Sequence, residues 1–460
     1  MLFRSEALLF ELLRASARER LYLSYQRADA AGRPLAPSGY LDGMGVVPHA
    51  ADAQSLFAVP RRWKDRTALP LFIPPLLTRE EHTVSSVLHG RDAASLLNAG
   101  GREGELFAHG LAAQALIESG VTALSAYDGL LTDATSHWNR IRERGISPTA
   151  LETYARCPFQ YFSAQVLDLD AVRQTVSMEL SPPAMGQLCH DALRLCYLAL
   201  IRQGWGTAAA SAAVVTAEVT RAVTQAFAAY AMTHGTGYAL TWQLAQDTVR
   251  HLVEAMVRFD CEAAAASGFI PVECEIDAKG VLPDGTAGEA IPLRGRWDRL
   301  DRHPVSGALR VIDYKYRAND RIDAKDRQLL QAAVRAQRLQ PALYTLMAVD
   351  GPGEQPHGPQ PEQVEFLYLL PQGMPMVERA SFPASCWQGP SGPMLSRTVQ
   401  LLVDGIRSGR HFIVPDTAHC DHCEFATACR KAHQPSLWRT RRSSLAGALR
   451  ALRFEKVARD

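Results

Sequence analysis

A chain of 460 residues can hold more than one domain, and 47% apolar with 21% charged residues is the composition of an ordinary globular protein. No apolar run approaches the ~20 residues a membrane span needs, and the N-terminal "MLFRSEALLFELLRASARER" carries charge throughout without a small-residue cleavage site. A cytoplasmic protein with no membrane partner is expected, and its net charge of +1 leaves the question of nucleic acid to the charge distribution.

Residues 1–145 mix short helices with turn-rich segments such as "DAAGRPLAPSGY". They hold no G-x-x-x-x-G-K-[ST] loop, and no Gly-Lys dipeptide occurs anywhere in the sequence, so it contains no Walker-type ATP site. A boundary follows near 145. In "ISPTALETYARCPFQYF" Ser147 is a natural N-cap and Pro148 a natural first helical residue. Helical periodicity then runs over about 184–203, 207–232 and 240–267. In the first of these, "MGQLCHDAL" sets Gly186 and His190 one turn apart, and His190 reads either as a core histidine or as a metal ligand.

After Gly268 the pattern turns strand-like in "FIPVECEID", "AIPLRGRWDRLDR" and "ALRVIDYKYR". Alternate residues share a face, so Asp313 and Lys315 point the same way. Asp298, at the end of the strand before, shares a face with Leu300, while Asp301 falls on the other. Two carboxylates converging from neighbouring strands make an oxygen site for a hard cation such as Mg²⁺ or Mn²⁺. A lysine beside them can orient a water and offset charge in a phosphorane-like transition state. The same D-x-K spacing also suits a surface salt bridge. Glu273, on the strand before, is a further acidic candidate without a firm motif.

A helix is expected over 326–349, where "QPALY" puts Gln340 and Tyr344 on one face, as half-buried packing or as a polar pair facing a bound strand. The loop "GPGEQPHGPQPEQ", a strand "VEFLYLL" and a helix near 393–409 complete an α/β core wrapped by helices. Near the end, "HCDHCEFATACRKAH" spaces Cys420, Cys423 and Cys429 for metal ligation but lacks a fourth thiolate, and His419, His422 or His433 would complete a zinc set. Nine cysteines, odd in number and unevenly spread, do not make a disulfide framework. Cys189, Cys196, Cys261, Cys274 and Cys386 read as small core residues. From Arg430 onward there are nine Lys/Arg and two Asp/Glu, a local charge of +7 that suits either a solvated amphipathic helix or a phosphate-facing tail.

The ordered set "GQLCH", "GRWDRLD", "VIDYK" and "QPALY" resembles the RecB/AddB-like branch of the PD-(D/E)XK nucleases over roughly 145–433. The resemblance implies a restriction-endonuclease-like α/β fold, a mixed sheet flanked by helices, after a helical N-terminal region. It divides the chain into a partial helicase-like region without an ATP site (1–145), a nuclease domain (146–435) and a basic C-terminal tail (436–460). It implies that His190, Asp298 and Asp313 bind Mg²⁺ or Mn²⁺, that Asp298, Asp313 and Lys315 are catalytic, and that Gln340 and Tyr344 support the site or the DNA. Part of this branch ties its nuclease domain with a [4Fe–4S] cluster, one cysteine ahead of the core and three beyond it. Carried over, these are Cys157, Cys420, Cys423 and Cys429, and such a tie closes a loop of over about 260 residues, restricting the unfolded chain as a disulfide does.

The stretch "ERLYLSYQRADAAGRPLAPSGYL" is similar to the last part of the helicase-like region of that branch, so the chain is expected to be a fragment, a shortened relative, or one whose start lies upstream. The implied activity is metal-dependent DNA exonuclease action on single-stranded ends in double-strand-break repair and recombination, with a helicase–nuclease partner subunit. The alternatives are a non-catalytic DNA-binding or scaffold module and a zinc-stapled interaction protein.

Overall fold

The computed structural model describes residues 2–19, scattered positions between 21 and 44, and 102–457 apart from 119, 171–179, 210, 283–289, 319–325, 351–357 and 416. Two compact units divide the chain, Met1–Gln114 and Ala115–Asp460. In the first, the helix Leu2–Ser16 carries Phe10, which stacks on Tyr40 at 5.1 Å between ring centres. The helicase-like stretch around 19–41 lies largely outside the described residues, as does most of the 351–363 loop.

The second unit includes residues that precede 145 and pack on it. Trp138 and Ile141 of helix α1 (Thr135–Arg144) join its core, and Asp128 is buried against Arg439. The order continues with α2 (Pro148–Arg156), α3 (Pro182–Arg202), α4 (Ala212–His234) and α5 (Ala239–Ser267), then strands β1 (Ile270–Leu282), β2 (Ile291–Arg302) and β3 (Leu309–Tyr316). Next come α6 (Asp326–Val334), α7 (Gln340–Tyr344), β4 (Met347–Val349), β5 (Gln363–Leu369), β6 (Val377–Pro383), α8 (Gly392–Arg407), α9 (Gln434–Arg442) and α10 (Ser444–Leu452). Ser147 caps α2 as its sequence suggests, its Oγ accepting from the Ala150 N–H at 3.2 Å. Gly268, in the left-handed region at φ 75°, ends α5.

The six strands form one sheet in the order β4-β1-β2-β3-β5-β6. Every neighbouring pair is antiparallel except β3–β5, which makes the sheet mixed, as expected. Alternation along β3 and β5 splits the core into two layers. Ile312, Tyr314, Leu367 and Leu369 face the layer of α3, α4 and α5. Val311, Val364, Phe366 and Tyr368 face the layer containing α2, α6, α7, α8 and α10.

One irregularity of the sheet positions everything that follows. The β2–β3 ladder stops at Arg299↔Ile312, although both strands continue, β2 against β1 and β3 against β5. The sheet forks there, and the next pair by register would be Asp298 and Asp313.

Two elements differ from expectation. The helix foreseen over 326–349 is two helices and a strand, because the chain turns through Ala336 at φ 56° and Pro341 opens α7 instead of continuing α6. Strand β6 was not foreseen. The basic stretch 436–460 forms α9 and α10, whose Leu437, Ala446, Leu449 and Leu452 are buried. Several of its charges are used internally: Arg439 pairs with Asp128, and Arg450 and Arg453 donate to the carbonyls of Thr440 and Arg156. Among the described residues no helix is long and apolar enough to cross a membrane.

The Asp128–Arg439 pair is fully buried and bidentate, at 2.8 and 2.7 Å, with Ser436 Oγ donating to the same carboxylate at 2.7 Å. Asp128→Ala would leave a buried unpaired guanidinium, so a loss of about 3–5 kcal/mol is expected in urea denaturation. Asp128→Leu combined with Arg439→Met should recover most of it. A single-variant loss below about 1 kcal/mol would contradict the pair's burial.

Candidate active site and cysteine centre

The fork brings together the residues that the motifs single out. With the ladder broken, the Tyr314 N–H and C=O have no backbone partner on β2. The N–H donates to Asp298 Oδ2 at 2.8 Å, and the C=O accepts from His190 Nε2 at 2.9 Å. His190 Nδ1 lies 3.3 Å from the same Asp298 oxygen. Both nitrogens therefore face acceptors, as an imidazolium requires. Burial alone would lower the His190 pKa, but the Asp298 hydrogen bond and charge and the Asp313 charge outweigh it and raise it to about 9. Burial acts on Asp298 in the raising direction, yet His190 and the Tyr314 N–H hold that carboxyl below its usual range.

Asp313 is 3% exposed, and its carboxyl is raised, first by burial, despite Lys315 Nζ at 2.6 Å. Apart from that ion pair, Asp313 Oδ2 has no hydrogen-bond partner. Lys315 also donates to Gln340 Oε1 at 2.8 Å and lies over the Phe366 ring at 4.8 Å. Gln340 Nε2 donates to Tyr344 OH at 3.3 Å, which donates to the Arg296 carbonyl at 3.2 Å. The glycine of "GRWDRLD" makes this approach possible: a Cβ on Gly295 would meet Met347 Sδ at 3.0 Å and Tyr344 Cε1 at 3.1 Å.

Among the described residues no three His, Cys, Asp or Glu side chains are gathered closely enough to hold a metal as they stand. His190 is paired with Asp298, and Asp313 with Lys315. The donor set nonetheless suits a hard divalent cation: an imidazole and two carboxylates, one of them buried beside a lysine.

Two carboxylates escaped the sequence reading. Glu273 is exposed and lies opposite Leu300, while Glu275 falls opposite Asp298 in the β1–β2 register. Glu275 has φ 57°, a left-handed conformation uncommon outside glycine, and pairs with Arg296 at 2.8 Å. Burial, then the Asp298 charge, raise its carboxyl pKa. Only the strand register separates Glu275 from Glu273. Glu152 of α2 accepts the N–H groups of Leu339 and Gln340 at 2.6 and 3.0 Å, capping the short helix that carries Gln340. Nothing in "TALETY" distinguishes it, since its partners lie almost 190 residues away.

Cys157 stands between α2 and the turn Pro158–Tyr161, buried, while Cys420, Cys423 and Cys429 are partly exposed. The four share one neighbourhood. Burial and then the other three thiols push Cys429 up to about 11, and Cys157 is raised by burial and by Cys420. Backbone N–H groups of Val414, Gln160 and Phe159 point at the Cys157 sulfur, and that of Lys431 at Cys429. Such N–H···S contacts are what a cluster-bound or zinc-bound thiolate uses. His433 is engaged with Ser436 at 3.0 Å. Cys189, Cys196 and Cys274 are buried in the core as expected, and Cys261 and Cys386 pack partly exposed against it.

A family model, the PD-(D/E)XK nuclease superfamily, matches residues 145–430. Similar curated proteins are named as one of the subunits of an "ATP-dependent helicase/deoxyribonuclease". The one from Moorella thermoacetica is 28% identical over 342 residues, 68% of this chain and 27% of its own length. The one from Bacillus licheniformis is 23% identical over 331 residues, covering 67% and 27%. The one from Bacillus subtilis is 28% identical over 188 residues, covering 37% and 15%. The chain thus spans 27% of the length of the relatives it matches most widely.

Beside Cys157, His411 stacks on Tyr161 at 6.0 Å with neither ring nitrogen in a well-formed hydrogen bond, and His137 Nε2 meets Tyr161 OH at 2.8 Å. Burial is the main cause that lowers both histidines to about 4, helped by Arg140 for His137 and by His137 for His411. An unfolded histidine titrates near 6.5, so the unfolded chain takes up these protons first. Stability from the pair should be complete above about pH 6.5 and fall as pH drops toward 4, by on the order of 2 kcal/mol per histidine between pH 7 and pH 5. Urea midpoints at the two pH values should show it, and His411→Phe should remove about half of the difference. An equal acid loss in that variant would contradict the assignment.

Proposed function

The chain belongs to the PD-(D/E)XK nuclease superfamily, and from that premise we propose that it is a metal-dependent DNA exonuclease acting on single-stranded ends during double-strand-break repair and recombination. The carrying observation is the fork, where His190 pairs with Asp298, Lys315 pairs with Asp313, and the Asp298 charge is felt at Asp313. His190, Asp298 and Asp313 would hold Mg²⁺ or Mn²⁺, and Glu275 stands beside them as a further carboxylate. A bound divalent cation supplies Lewis acidity to the scissile phosphate and makes a water more acidic. Lys315, held by Gln340 and Asp313, would orient that water and offset negative charge on the phosphorus oxygens. Gln340 and Tyr344 act as its brace, fixed through Glu152 and the Arg296 carbonyl.

The names of the similar proteins support DNA as substrate and a helicase-bearing partner. A non-catalytic DNA-binding or scaffold role is the second reading, and the intact Asp313–Lys315 pair favours the enzyme. For the cysteines we propose a structural [4Fe–4S] cluster on Cys157, Cys420, Cys423 and Cys429, in a cytoplasmic protein. Hydrolysis breaks a P–O bond and consumes water without transferring electrons, so the cluster's part is to tie the two ends of the nuclease region together.

Asp313→Ala or Lys315→Ala should abolish Mg²⁺-dependent DNA digestion with little change in folding, monitored by circular dichroism. Comparable digestion by the wild type and both variants refutes the assignment. Anaerobically purified wild type should contain iron and absorb broadly at about 400 nm. Cys157→Ser should lose both and melt at lower temperature, whereas Cys189→Ser should keep its iron. Zinc without iron, or iron retained without Cys157, sinks the cluster.

A further inference from the structure

The motif "GRWDRLD" contains two buried charged residues that the proposed chemistry does not use, Arg299 and Asp301. Both are fully buried, with Arg299 set among Asp260, Tyr197 and Tyr314. A guanidinium has five N–H donors, and Arg299 uses all of them. Nε and Nη2 go to the two Asp301 oxygens at 2.7 and 3.1 Å, and Nη1 and Nη2 to the two Asp260 oxygens at 2.6 and 3.2 Å. The fifth, from Nη1, reaches Tyr314 OH at 2.8 Å.

Tyr314 is the residue whose backbone N–H and C=O hold Asp298 and His190. His190 is tied to Arg299 a second way. Its helix α3 also carries Tyr197, two turns further on, whose ring lies under the Arg299 guanidinium at 4.5 Å and whose hydroxyl donates to Asp260. The acceptor of His190 and the helix that carries it therefore converge on one buried cation.

We propose that Arg299 is a positioning residue that acts through Tyr314. Its guanidinium sets where Asp298 and His190 stand, and Tyr314 OH is the group on β3 to which it donates. Asp260 and Asp301 fix the guanidinium, and Arg310, paired with Asp301 at 2.7 Å, fixes Asp301 in turn. The inference rests on the reading of Asp298 and His190 as metal ligands.

Tyr314→Phe removes only the hydroxyl, and Val253→Ala, a cavity in the same helical layer, serves as a control for lost stability. The full chain is tested in two ways: the Mn²⁺ concentration giving half-maximal DNA digestion, and hydrogen–deuterium exchange of peptides spanning 311–317 without metal. For Tyr314→Phe the half-saturating Mn²⁺ should rise about 10-fold or more, with a smaller fall in rate at saturating metal. Exchange over 311–317 should quicken about 10-fold while α4 stays protected, because the Tyr314 amide reports whether Asp298 still accepts from it. Arg299→Lys, which keeps the charge but not the five-donor geometry, should behave likewise. Val253→Ala should lower the melting temperature and change neither readout. The proposal is overturned if Tyr314→Phe melts lower with unchanged Mn²⁺ dependence and unchanged 311–317 exchange. If the wild type digests no DNA, the nuclease reading fails, and the exchange pattern alone then decides the positioning role.

Discussion

Two adjacent strands stop pairing one residue before two aspartates would meet, and the site follows from that break. Inside a sheet an unpaired N–H and C=O each cost about as much as a lost hydrogen bond. At Tyr314 both are satisfied by side chains, Asp298 and His190, instead of by the backbone of the neighbouring strand. The fork is thereby stable without a ladder, and it holds two carboxylates and an imidazole in fixed relation. The break also explains the division of labour along β3. Asp313 and Lys315 face the α7 layer and find each other, Gln340 and Phe366, while Tyr314 between them faces the opposite layer and meets Arg299.

The long-range ties have a similar economy. Helix α2 contributes Glu152 to the cap of α7 and ends at Cys157, so the segment that reaches the cysteine neighbourhood also fixes Gln340. Loss of order around Cys157 would therefore reach Lys315 through two hydrogen-bonded steps. At the other end, Asp128 and Arg439 bind the chain before α1 to α9, and α10 closes the core beside α8. In the charge run read by composition as a solvated amphipathic helix or a phosphate-facing tail, Arg439, Arg450 and Arg453 are engaged in internal bonds.

What the sequence made legible was local or periodic. Ser147 as a cap, the helical spans of α3 and α5, the three-strand meander and the shared face of Asp313 and Lys315 all depend on neighbours within a few residues. Pro341 could have split the 326–349 helix in advance, because its ring cannot continue one. Residues acting at a distance were silent. Glu152 is marked only by amides that lie almost 190 positions later, Glu275 only by its register opposite Asp298, and Arg299 only by Asp260 on a helix before the sheet begins. Sequence spacing carries periodicity and turn chemistry, whereas these roles come from which strand stops pairing where.

If the proposed chemistry holds, the fork between β2 and β3 is where the divalent cation sits. Crystals grown with Mn²⁺ and a short uncleavable DNA strand, examined by anomalous scattering at the manganese edge, address it directly. The expected result is a peak bounded by His190, Asp298 and Asp313, with His190 turned from Asp298 toward the metal and Lys315 still against Gln340. Manganese bound elsewhere, with the His190–Asp298 and Lys315–Asp313 pairs undisturbed, would contradict it.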